Sequence, residues 1–162
     1  MRTRAALALG VLMPLAQGCP SAYQQTYERE TQRLEAERRM AEAEDKAAHA
    51  QASRYAAVVY FDVGSAVIGE DGQRELRWFV ERMQPYPKAV MLVQGFADTT
   101  GAEAKNRTLS EDRARAVAGF LGGQGIDPSH IVTQGYGTES PAASNVTPQG
   151  RRSNRRVEVT VR

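Results

Sequence analysis

The sequence predicts a mixed α/β (α+β) domain of order β-α-β-α-β-β behind a long N-terminal helix. Three observations carry that prediction. Residues 21–53 form a polar stretch without glycine, short apolar runs then alternate with segments of helical periodicity, and the C-terminal end alternates apolar and polar residues strictly.

The chain opens with Arg2 and Arg4, followed by a short apolar run from Ala5 to Ala16 that Gly10 and Pro14 interrupt. A basic start and a run too short to span a bilayer read as an export signal over residues 1–18. The run ends at Ala16-Gln17-Gly18-Cys19, and Cys19 is the only cysteine, so it has no internal disulfide partner. It is either an attachment point or the free thiol of a secreted chain. The ending resembles the bacterial lipoprotein signal. That resemblance implies cleavage before Cys19, diacylation of its sulfur and acylation of the new amino terminus. Each buried methylene of such an anchor adds ~0.8 kcal/mol. Pro20 stands after the cysteine where an inner-membrane lipoprotein would carry Asp, and by resemblance to enteric lipoproteins this points to the outer membrane.

With 162 residues, 41% hydrophobic and 25% charged, one core is expected. The formal charge of +2 includes Arg2 and Arg4. Without them 21 − 2 = 19 basic residues face 19 acidic ones, a balance that argues against nucleic acid as a partner.

Residues 19–54 read as the anchor and a helical spacer, rich in Glu, Arg, Gln and Ala. Tyr27, Leu34, Ala41, Ala48 and Tyr55 recur every seven residues, but Glu30, Glu37, Glu44 and Gln51 occupy the companion positions. Half a coiled-coil seam is missing, which leaves a solvated spacer or a weakly dimerising helix. Fully helical, this segment reaches ~50 Å at 1.5 Å per residue.

The folded domain is placed at residues 55–162. Ala56 to Phe61 is a buried strand entering the turn Asp62-Val63-Gly64-Ser65. Leu76, Phe79, Val80 and Met83 then mark one helical face, ending before Pro85 and Pro87. A strand over Ala89 to Phe96 follows. The next helix is expected from Gly101 or Ala102 to Leu121, with Leu109, Val117, Phe120 and Leu121 toward the core, its other face polar, and Gly122-Gly123 ending it. Ile131 to Gln134 is a third strand. Gly135 to Asn154 reads as a long loop in which Arg151 and Arg152 are either surface charges or functional. The last strand alternates Val157, Val159 and Val161 with Glu158 and Thr160.

One constellation stands out for chemistry. Asn106 and Arg113 lie seven residues apart, two helical turns, so their side chains share a face toward the loop carrying Asp98. An acid and a base flanking one space suit a zwitterion. Simpler roles are open as well. Asp98, Thr99 or Thr100 fits a helix cap, Arg113 fits a surface pair with Glu111 or Asp112, and Asp62 fits a turn former.

The domain resembles the OmpA-like peptidoglycan-binding family, which includes peptidoglycan-associated lipoproteins. The pieces that carry the resemblance are Tyr60-Phe61-Asp62 with Ser65, Gly95-Phe96-Ala97-Asp98 with Gly101, and Leu109-Ser110 with Arg113-Ala114. Gln124-Gly125-Ile126, Gly135-Tyr136-Gly137 and Asn154-Arg155-Arg156-Val157-Glu158 follow in the family's order. Ala97 stands where many members have Thr. The resemblance implies a two-layer sandwich with a mixed sheet and two main helices. It also implies binding of peptidoglycan stem peptides at the free end of meso-diaminopimelate, with no cofactor and no catalysis. Asp98 would take the ammonium and Arg113 the carboxylate through paired hydrogen bonds. Asn106, Thr99, Asp62 and Arg155 join the expected site, with backbone N–H groups of residues 99–101 as further carboxylate donors. The expected role is a tether between outer membrane and wall. The alternative is an interaction subunit docking on envelope proteins such as Tol components or a secretion or motility machine. Asp98→Ala and Arg113→Ala are both expected to weaken wall binding with the fold intact.

Enzyme readings find little purchase. His49 and His130 belong to no triad, the only thiol lies in the signal, and no His/Cys group has metal spacing. Gly122-Gly123-Gln124-Gly125 follows a helix and is no phosphate loop.

Overall fold

A computed structural model describes residues 21–162; the segment expected to be an export signal and Cys19 lie outside the described residues. The chain divides into two compact units, one ending at Ala41 and the other running from Glu42 to Arg162. Helix α1 spans Ala22–Ala52. In the first unit Tyr23, Tyr27, Leu34 and Met40 are exposed, and ion pairs such as Arg33–Glu37 lie one turn apart.

In the second unit the last turns of α1 pack on the domain. Ala52 is buried, Lys88 Nζ donates to Asp45 Oδ1 at 2.9 Å, and Tyr86 Oη bonds Gln51 Oε1 at 3.1 Å. There follow β1 (Ala57–Tyr60), α2 (Glu70–Met83), β2 (Met91–Gly95), α3 (Glu103–Gly123), a 3-10 turn, β3 (Ile131–Gly135), α4 (Pro148–Asn154) and β4 (Arg156–Val161).

The sheet order is β1-β4-β2-β3, parallel between β2 and β3 and antiparallel elsewhere, so the sheet is mixed. Ala57, Val59, Met91, Val93, Val157 and Val159 line its inner face. They meet Leu76, Phe79, Val80 and Met83 of α2 and Ala114, Val117 and Leu121 of α3 in one core. Each fully buried large side chain here contributes about 1.5–3 kcal/mol. The result is a two-layer α+β sandwich.

Two expectations need correction. Gly122 and Gly123 are helical, and α3 ends later, at Gln124 followed by Gly125 with φ +97°. Ile126 N–H bonds Leu121 O at 3.2 Å and Gly125 N–H bonds Gly122 O at 3.0 Å, the paired bonds of a glycine-terminated helix. Nor is the segment from Gly135 to Asn154 one loop, for α4 occupies its end. Thr147 accepts Gly150 N–H at 3.0 Å as its cap, and Pro148 sits in the first turn. Arg151 is structural, donating to Asn145 O and Val146 O at 2.9 and 3.0 Å. Asn154, fully buried, donates to Ala143 O at 2.8 Å and accepts Ala143 N–H at 2.9 Å, which ties the segment down.

Candidate functional site

The site forms where β2 leaves the sheet. After Gly95 the chain runs through Phe96, Ala97 and Asp98, turns at Gly101 with φ +90°, and enters α3. Arg155, between α4 and β4, arrives beside it. Asp98, Asn106, Arg113 and Arg155 come together, with Val63, Leu109 and Lys105, around a pocket of about 190 Å³.

Asp98 is only 4% exposed. Its Oδ1 accepts Thr100 N–H at 2.8 Å, and its Oδ2 accepts Nη1 of Arg155 at 2.8 Å. Arg155 also donates Nε to Phe61 O at 3.0 Å, so the guanidinium is fixed from two sides. Asn106 donates Nδ2 to Thr100 O at 3.2 Å.

Arg113 is 0% exposed. Nε donates to Ser65 O at 2.8 Å, Nη1 to Phe96 O at 3.0 Å and Nη2 to Asp62 O at 2.9 Å, with the guanidinium 5.2 Å from the Phe61 ring centroid. This corrects two expectations. The face shared by Asn106 and Arg113 is the inward face of α3, together with Ser110, Ala114, Val117 and Leu121, and not its solvated side. Arg113 also forms no surface pair, since Asp112 pairs with Arg115.

The remaining expected residues sit at the margin. Asp62 contributes its main-chain carbonyl, through Arg113, while the residue itself is exposed. Thr99 is exposed too, and its N–H is given to Asn145 Oδ1 at 3.3 Å. With Thr100 N–H held by Asp98, two of the backbone donors proposed for a carboxylate are already occupied. The capping reading also falls, because the N-cap of α3 is Ala102, with no side-chain cap bond.

Burial pushes the Asp98 carboxyl up, but hydrogen bonds from Arg155 and Thr100, with the Arg155 charge, outweigh it and hold the group below its usual value of 3.8. A depressed carboxylate stabilises the fold above the unfolded value, and that contribution is lost as pH falls through the lower folded value. Acid denaturation is therefore expected to steepen below about pH 4. Asp98→Asn flattens this limb, and superimposable pH–stability curves would refute the assignment. Burial pulls Arg113 down to about 10, helped by repulsion from Arg155 and opposed by Asp98. It stays cationic at neutral pH.

Lys105 is the charged wall residue that sequence reasoning missed, and Val63 and Leu109 are apolar ones. Lys105 lies one position before Asn106 in a polar helical stretch, where nothing in the pattern separates it from a solvated charge. Among the described residues no group of His, Cys, Asp and Glu could hold a metal ion. None of the described helices is long and apolar enough to cross a membrane.

The sequence profile described as the OmpA family matches residues 60–155. The chain is 43% identical over 103 residues to the Escherichia coli (strain K12) protein named "Probable lipoprotein YiaD", covering 64% of this chain and 47% of that one. It is 38% identical over 104 residues to the peptidoglycan-binding protein ArfA of Mycobacterium tuberculosis, covering 64% and 32%. The chain thus spans half or less of these relatives' length. The crystal structure of the peptidoglycan-associated lipoprotein from Burkholderia pseudomallei superposes with a TM-score of 0.63 at 26% identity, over 65% of this chain and 90% of that one.

Proposed function

The chain belongs to the OmpA family, and from that premise we propose that it is a non-catalytic tether that holds the cell wall through peptidoglycan stem peptides. The observation that carries this reading is the pocket in which Asp98 and Arg155 meet at 2.8 Å beside the buried guanidinium of Arg113. A ligand end carrying both an ammonium and a carboxylate, as the free end of meso-diaminopimelate does, finds an acid and guanidinium groups within one small volume. The groups are fixed before the ligand arrives, so little side-chain entropy is lost on binding. The ammonium would share Asp98 with Arg155, and Asn106 would add a neutral contact. A relative whose name states peptidoglycan binding, and the fold shared with a peptidoglycan-associated lipoprotein, support the choice of ligand.

In this reading Cys19 carries lipid in the outer membrane, α1 is the spacer and the domain faces the periplasm. Many such tethers acting together would hold the wall firmly even if each bond is weak. Docking on envelope proteins is compatible with this role.

The test is sedimentation of the full chain, in detergent, with purified sacculi. Asp98→Asn keeps the shape and removes the charge, and its single Oδ1 can still accept from Thr100 N–H or from Arg155, though not from both as the two carboxylate oxygens do. A lost charge-assisted hydrogen bond is worth about 1.5–3 kcal/mol, so the apparent Kd is expected to rise at least about tenfold. Equal sedimentation of folded Asp98→Asn and native protein would sink the proposal.

A further inference from the structure

We propose that Lys105 makes the pocket selective for a free carboxylate, so that stem peptides with an unamidated diaminopimelate end are preferred over amidated ones. The inference rests on the wall-binding reading above and assigns a specificity residue to that site.

Charge balance is the first ground. Among the pocket-lining residues Lys105, Arg113 and Arg155 are cationic and Asp98 is anionic, so the wall carries 3 − 1 = +2. A ligand end of one ammonium and one carboxylate leaves that excess in place. An amidated end, cationic overall, adds to it.

The second ground is how the cations are already engaged. Each nitrogen of Arg113 donates to a main-chain carbonyl, and Arg155 is held by Phe61 O and Asp98. Lys105 is exposed and makes no hydrogen bond or ion pair with the described residues. Thr108 and Leu109, one turn further along α3, carry no charge, nor do Gly101 and Ala102 just before the helix, so no partner at those positions competes for it. A lysine ammonium is a compact charge on a flexible stem, able to follow a carboxylate at the pocket mouth. An amide there carries no charge and can offer the ammonium only its neutral carbonyl oxygen, a weaker contact than a carboxylate makes, and that difference discriminates between the two ligands.

The experiment measures binding of the full chain, in detergent, to two synthetic tripeptides, L-alanyl-γ-D-glutamyl-meso-diaminopimelate with the side-chain carboxylate free or amidated. Because the lysine is exposed, a preference of about fivefold for the free acid is expected at low salt. It should shrink at about 1 M salt, where the screening length is only about 3 Å. Lys105→Gln is expected to bring the ratio close to one, and Lys105→Arg to keep it. Equal binding of both peptides by native protein, or a preference that survives in Lys105→Gln, overturns the inference while leaving the pocket reading standing. Failure of native protein to bind either peptide overturns the wall-binding reading, and this inference with it.

Discussion

Replacing Arg113 by alanine is expected to destabilise the domain by about 3–5 kcal/mol, seen as a lower urea midpoint in equilibrium unfolding. The side chain is 0% exposed and is the largest of the fully buried ones. Its guanidinium joins Asp62 and Ser65, after β1, to Phe96, after β2, from a position on α3. Truncation leaves the Ser65 and Phe96 carbonyls without a donor, while Asp62 O keeps the Ser65 N–H at 3.2 Å, and a carbonyl left buried and unpaired costs about 1–3 kcal/mol. It also opens a cavity under the Phe61 ring. Water reaching the partly buried Ser65 carbonyl reduces the sum, which is why the expected loss is below two full penalties with a full cavity cost added. Arg113→Lys keeps the charge, but a single ammonium cannot span three acceptors, so most of the loss should remain. An unfolding midpoint equal to that of native protein would show that the carbonyl clamp contributes little. Loss of wall binding in Arg113→Ala therefore has to be read against its midpoint, and that in Asp98→Asn against the stability that the Asp98–Arg155 pair contributes.

The position of Arg113 shows where sequence reading reaches its limit. Seven-residue spacing correctly placed Asn106 and Arg113 on one face, because helical geometry is local. Which face it is depends on partners remote in sequence. Residue type assigns Asn, Ser and Arg to solvent, yet carbonyls from separate loops make an inward arginine stable. The core of α2 was legible for the opposite reason. Leu76, Phe79, Val80 and Met83 need only an apolar surface to pack on, and their period alone reveals the buried side. Helix α4 escaped notice because seven residues including Gly150 give no measurable period. Its one local signal is Thr147-Pro148, a capping residue followed by a proline suited to the first turn. The Asp98–Arg155 pair joins residues 57 positions apart, and only the family resemblance brought Arg155 into the expected site.

Gly95→Ala is expected to cost about 3 kcal/mol and to weaken sacculus binding as well, although Gly95 does not line the pocket. A Cβ built at Gly95 would lie 2.0 Å from Ser110 O and 2.9 Å from Ser110 C, main-chain atoms of α3 that no rotamer change can move aside. Relief requires α3 to move away from β2. That shift would loosen Asn106 from Thr100 and Arg113 from Phe96, and the Ser110 hydroxyl from Gly137 N–H, now at 2.8 Å. The matched control is Gly119→Ala, on the same helix, where a Cβ would meet nothing within 4 Å. Alanine there removes the entropic penalty of a helical glycine and is expected to stabilise by up to about 1 kcal/mol, with binding unchanged. Opposite signs for these two substitutions in urea unfolding, with binding lost only in Gly95→Ala, would establish that close approach of α3 to β2 sets the pocket's geometry. Equal midpoints would mean that α3 can retreat without cost and that the pocket is held by its own hydrogen bonds.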